Sequence, residues 1–122
     1  MKSMMVIAAL LISFISPVHA GAGHELKPMH GGVIVEVKDI DIELVAKADS
    51  LSMYLTDHGK PIPLDGGTAK LTILIGSEKK EYELLPNGGK FEVKGNFAIS
   101  KGAKAIAVIK IKTKVITARF NL

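Results

Sequence analysis

The chain contains no cysteine and no tryptophan, and aromatic residues make up only 5% of its 122 positions. Without thiols there are no disulfides, no thiolate metal sites, no redox pairs and no cysteine nucleophiles. The scarcity of aromatics argues against platforms that stack sugars or single-stranded nucleic acid bases. Blocks of like charge are also missing. The formal charge is +4, yet lysines interleave with acids, as in Glu78-Lys79-Lys80-Glu81 and Lys90-Phe91-Glu92-Val93-Lys94. Such mixed-sign stretches read as solvated surface, so neither nucleic acid nor a membrane surface is an expected partner. Catalytic signatures are absent as well. Ser50, Ser52, Ser77 and Ser100 have no neighbouring general base, and no Gly-x-Ser-x-Gly elbow occurs. Asp39, Asp41 and Glu43 alternate along one segment and are expected to share its solvated face, with no aromatic-lined sugar cleft beside them. The expectation is a protein that is not an enzyme.

What is present begins with a leader. Lys2 supplies a positive start, Met4 through Ile15 form an apolar run broken only by Ser13, and Val18 and Ala20 are small residues placed for cleavage. The run of about 12 residues falls short of the ~20 needed to span a bilayer, so a stable membrane anchor is not expected. Residues 1–20 are therefore expected to be a signal peptide cleaved after Ala20. No cysteine follows, which excludes a lipid-anchored form. The remaining 102 residues suit one domain, and losing Lys2 takes the charge to +3.

Beyond the leader, alternation of apolar and polar residues dominates and no helical period is found. Val33–Val37 and Ile40–Ala46 are joined so tightly at Lys38-Asp39 that a hairpin is expected. Further strands are expected around Leu51–Leu55, Ala69–Ile75, Tyr82–Leu84, Phe91–Val93, Ala105–Ile111 and Ile116–Leu122. Pro86-Asn87-Gly88-Gly89 is a strong hairpin turn, while Asp57-His58-Gly59-Lys60-Pro61 is a loop dense in turn formers. Ala105–Ile111 is apolar on both faces at first, as a central strand would be. Lys110, Lys112 and Lys114 fit the protection of an edge or strand end. Seven to eight short antiparallel strands predict an all-β fold over 33–122, a single immunoglobulin-like β-sandwich, with a small barrel as the alternative.

Residues 21–32 form a flexible lead-in holding His24, Met29 and His30, ended by Gly31-Gly32. Imidazole suits copper or zinc, and thioether suits Cu(I). The spacing matches no closed zinc motif, so the donors read either as a loose metal site or as incidental residues before a strand. His58 is a fourth candidate ligand, and the alternative for Asp57-His58-Gly59 is a plain polar turn. In a meander His30 and His58 would stand at opposite ends, roughly 15–20 Å apart, unless the lead-in folds back.

Taken in order, His30-Gly31-Gly32-Val33-Ile34-Val35-Glu36, Ile42-Glu43-Leu44-Val45-Ala46, Leu51-Ser52-Met53-Tyr54-Leu55, Asp57-His58-Gly59-Lys60-Pro61 and Thr117-Ala118-Arg119-Phe120 resemble a family of small exported β-sandwich proteins. That family is also seen as a domain linked to periplasmic adaptor subunits of heavy-metal efflux pumps of the resistance-nodulation-division class. The resemblance implies a periplasmic location and an accessory part in handling copper, zinc, cobalt or cadmium, with an efflux adaptor as partner. His30 and His58 fall on its motifs, whereas His24 and Met29 lie in its variable lead-in. The expected function is thus a non-catalytic periplasmic metal-binding or efflux-accessory protein. The alternative is an immunoglobulin-like interaction module that binds a protein through a sheet edge, with no metal role.

Overall fold

A computed structural model describes residues 26–122. The expected leader, its cleavage point and His24 lie outside the described residues. Within them the fold is all-β and antiparallel, with nine strands and no helix. They are β1 (Val33–Val37), β2 (Ile40–Ala46), β3 (Ser50–Asp57), β4 (Lys60–Pro61), β5 (Thr68–Ile75), β6 (Glu78–Asn87), β7 (Lys90–Lys94), β8 (Lys104–Ile111) and β9 (Lys114–Asn121).

Alternation decides which way each strand faces. Ile42 and Leu44 of β2 and Leu51, Met53 and Leu55 of β3 point inward and are essentially fully buried. The hairpin between β1 and β2 forms through two residues, Lys38 and Asp39, both with positive φ, the backbone that matches the twist of the flanking strands. Gly88 and Gly89 make the equivalent turn between β6 and β7. β8 does lie between two neighbours, β5 and β9, but its burial alternates and Ile106 and Val108 are only half-buried.

The ladder runs β1-β2-β3-β7-β6-β5-β8-β9, with the short β4 paired to β3. β6 belongs to both halves. Its first part pairs with β5 as far as Leu84, and Leu85–Asn87 pair with β7. Leu84 is fully buried while Leu85 is 52% exposed. A ten-residue strand is long enough to cross from one sheet to the other without breaking the ladder. The result is a nearly closed, barrel-like sheet, closer to the barrel alternative than to two separate layers. The end strands β1 and β9 run side by side in opposite directions, since seven antiparallel steps separate them. Among the described residues no ladder joins them, and Lys38 Nζ donates to the Val115 carbonyl across the gap at 3.5 Å.

Phe91, Phe120, Ile73, Ile109 and Ile116 meet inside, with Ala69, Ala105, Ala107 and Ala118 supplying the small partners that let them pack. The interior is thus filled by side chains, as in other small barrels. Recognition has to happen outside it.

Candidate functional site

The site is built where the lead-in meets the outer face of β2 and β3. Gly31 adopts φ +77, a conformation open to glycine and costly for other residues, and there the chain reverses direction. Gly32 then lies so close to β2 that a Cβ would overlap the Leu44 carbonyl oxygen. These two glycines turn Met29 and His30 back over the cross-strand pair Glu43 and Tyr54.

Glu43 is the anchor. Its side chain is 4% exposed and collects four donors from the lead-in. Oε1 accepts from the Met29 amide at 3.0 Å and His30 Nδ1 at 2.9 Å. Oε2 accepts from the His30 amide at 2.8 Å and the Gly32 amide at 2.9 Å. Burial pushes the carboxyl pKa up, but the His30 ring and the Gly32, His30 and Met29 amides outweigh it. Its pKa therefore lies below the usual carboxylate value. The expectation of a solvated Glu43 is thus corrected. Its strand face is covered by the lead-in, which also buries the outward-facing Val45 to 7% exposure.

An ionised carboxylate only accepts, so Nδ1 of His30 carries the proton in this contact. In the neutral ring Nε2 then holds the lone pair. The His30 ring stacks on Tyr54 with centroids 3.6 Å apart and planes 4° from parallel. Tyr54 is half-buried and carries Lys90 Nζ at 5.7 Å from its ring centre. Lys90 is held in turn by Glu92 at 3.2 Å, and its ammonium pKa is raised first by that contact and then by Tyr54. Glu92 also accepts from Asn87 and Ser52, so the platform under His30 extends across β3 and β7.

A groove of about 570 Å³ opens beside this platform, lined among others by Met29, His30, Tyr54, Asp41, Thr56 and His58. His58 sits on a two-residue turn between β3 and β4 with φ +50, followed by Gly59 at φ +80. Its side chain is 79% exposed, and Nδ1 contacts Asp57 Oδ1 at 2.5 Å. The meander estimate that kept His30 and His58 apart is corrected in one respect. The lead-in does fold back, and both histidines line one groove, His30 over the Glu43–Tyr54 pair and His58 past the Asp41–Thr56 pair.

The donors present fit a loosely held soft or borderline cation rather than a closed structural zinc site. His30 offers an oriented Nε2, and Met29, 80% exposed, offers a thioether one residue away. A ring nitrogen fixed on a carboxylate, leaving the other nitrogen as the donor atom, is the usual state of a metal-binding imidazole. Among the described residues no three histidine, aspartate or glutamate side chains converge. His24, the remaining candidate ligand, lies outside the described residues.

Sequence reasoning missed Glu43 and Tyr54. The signal was there in weak form: Val45 and Tyr54 are apolar or aromatic residues on the same outer face as Glu43, next to a glycine pair that permits close approach. Compared with known proteins, the chain matches no family model, no curated protein and no solved structure.

Proposed function

We propose that this protein is a non-catalytic, exported metal-binding protein that takes up a copper- or zinc-type ion through His30, Met29 and His24. The observation that carries the reading is the buried Glu43 carboxylate holding Nδ1 of His30, with the ring braced on Tyr54. That arrangement fixes the tautomer, keeps Nε2 available and costs no reorganisation when a cation arrives. Met29 would add the softer donor that favours Cu(I). The leader pattern in residues 1–20 supports a periplasmic place of work, and the efflux-adaptor resemblance supports an accessory part in handling such ions. The scaffold is the nearly closed antiparallel sheet, continuous through the bend in β6 at Leu84-Leu85.

The test is calorimetric titration of the mature chain with Cu(II), Cu(I) under reductant, and Zn(II). The expected result is saturable binding of at least one ion, weakened at least tenfold in His24→Ala/His30→Ala. Affinity unchanged in that double variant removes the proposal. A second reading, an interaction module using a sheet edge, draws support from β1 and β9, which end the ladder without pairing to each other. A periplasmic partner retained equally in the presence of chelator would favour it.

A further inference from the structure

Charge is unevenly divided across the molecule. Residues 26–92 carry eight lysines and eleven acids, whereas no aspartate or glutamate follows Glu92. β8, β9 and the turn between them hold Lys104, Lys110, Lys112, Lys114 and Arg119. Among the described residues none of these five makes an ion pair. By contrast, Lys70 and Lys79 both meet Glu81, and Lys90 meets Glu92. Strand register gathers part of the surplus on one outer face. Ala105, Ala107, Ile109, Ala118 and Phe120 point inward and are buried. Their alternates face out, with Lys104 opposite Asn121, Ile106 opposite Arg119, Val108 opposite Thr117 and Lys110 opposite Val115. β5 adds Thr72 beside Ile106 and Lys70 beside Val108. Ile106 and Val108 are half-buried and Val115 is 52% exposed, so a short aliphatic strip lies among Lys104, Lys110 and Arg119. Lys104 and Lys110 stand about 20 Å apart at the rise of an extended strand.

We propose that this outer face of β5, β8 and β9 docks an acidic protein surface, one that sets carboxylates around a small aliphatic patch. An apolar centre within a charged rim is the usual anatomy of a protein–protein contact. Arg119 offers a planar fork that two carboxylate oxygens can meet at once, while Lys104 and Lys110 supply point charges at either end of β8. Because these cations are unpaired, an incoming carboxylate displaces no internal ion pair. Other anionic occupants fit less well. No outward position of β5, β8 or β9 holds an aromatic ring, so bases and sugars find no platform to stack on. For the same reason there is no tryptophan or tyrosine to anchor the face at a lipid headgroup layer. Three strands make the face only about 10 Å wide. A contact of that size belongs to the transient class, steered by charge and sensitive to salt. The face shares no residue with the groove beside His30, so the proposal does not rest on the metal-binding reading.

The experiment is a proton–nitrogen NMR titration of the chain at low salt with a synthetic peptide of repeating Glu-Val-Glu units. Saturable shifts centred on Ile106, Val108, Thr117 and Arg119 are expected. Lys104→Gln/Lys110→Gln/Arg119→Gln should weaken binding by about tenfold or more. Lys47→Gln/Lys60→Gln/Lys80→Gln removes the same charge elsewhere and should change affinity by less than about twofold. All six positions are exposed, so both variants should keep the parent's unbound spectrum. Equal losses in the two variants would reduce the binding to net charge and overturn the proposal. Shifts spread over the lysines of every strand, or no shift at all, would overturn it too. Parallel arms replace the peptide with phosphatidylglycerol vesicles and with oligothymidylate. If either binds this face more tightly than the peptide does, an acidic protein is the wrong occupant.

Discussion

At the scale of single residues, the protein turns on one carboxylate. Glu43 gathers three backbone amides and a ring N–H from three residues of the lead-in, Met29, His30 and Gly32, so its removal releases all four contacts at once. Glu43→Ala should cost about 1–3 kcal/mol of stability, the usual price of removing the acceptor of charge-assisted hydrogen bonds at a covered site. Amide hydrogen exchange at Met29, His30 and Gly32 should rise toward that of an unstructured chain. Protection unchanged in the variant would show that Glu43 does not hold the lead-in. The same contact gives a pH dependence with a defined sign. The folded-state pKa of Glu43 lies below the ordinary 4.5, so its contribution is complete above that value and is lost as pH falls through the folded value. Exchange protection of the Met29, His30 and Gly32 amides should therefore be flat at neutral pH and decline in acid, below about pH 4.5. A decline centred near neutrality would assign the effect to another group.

At the scale of elements, the turns carry the next test. Lys38 and Asp39 both hold a left-handed backbone that costs non-glycine residues about 1 kcal/mol each. Replacing them as Lys38→Asn/Asp39→Gly supplies the sequence this turn prefers and should raise stability by roughly 0.5–1 kcal/mol. Thermal unfolding would show it as a higher midpoint, and a lower one would contradict the account of the hairpin. Gly32→Ala should do the opposite, because the new methyl group meets the Leu44 carbonyl rather than a side chain that can move. Strands were legible in the sequence because period two is local: Ile42, Leu44, Leu51 and Met53 announce their inward face without any knowledge of the neighbours. The pairing of β3 with β7 and of β5 with β8 was not, since such contacts join residues far apart in the chain. Glu43 was misread for a related reason. Alternation tells which residues face outward, but an irregular segment that later covers that face leaves no periodic trace.

At the scale of the whole molecule, stability rests on a filled interior with no cross-links to assist it. Phe91 is one of the largest fully buried side chains, and its strand joins the second part of β6 to β3, its backbone pairing with Pro86 and Met53. Phe91→Ala should cost about 3–5 kcal/mol, a large part of the 5–15 kcal/mol expected for a domain of this size. Urea unfolding should show a sharply lower midpoint, and a loss under 1 kcal/mol would mean that the interior is not organised around this ring. In the proposed metal-binding role the scaffold acts through the lead-in laid on its surface. Candidate ligands in that lead-in were legible as residue types, His24, Met29 and His30, whereas the placing of Met29 and His30 in one groove with His58 depended on a fold-back that only the structure supplies.

The central claim is that His30 presents a metal-binding nitrogen from a platform of Glu43 and Tyr54. The chain has no tryptophan, and its two tyrosines are far apart in environment, Tyr54 under His30 and Tyr82 edge-on to Phe97. Tyrosine fluorescence of the Tyr82→Phe variant therefore reports on the site alone. Titrating that protein with Cu(II) should quench the emission in a saturable manner, and adding His30→Ala should abolish most of the quenching. Emission that ignores Cu(II), or that falls equally with and without His30, would contradict the account.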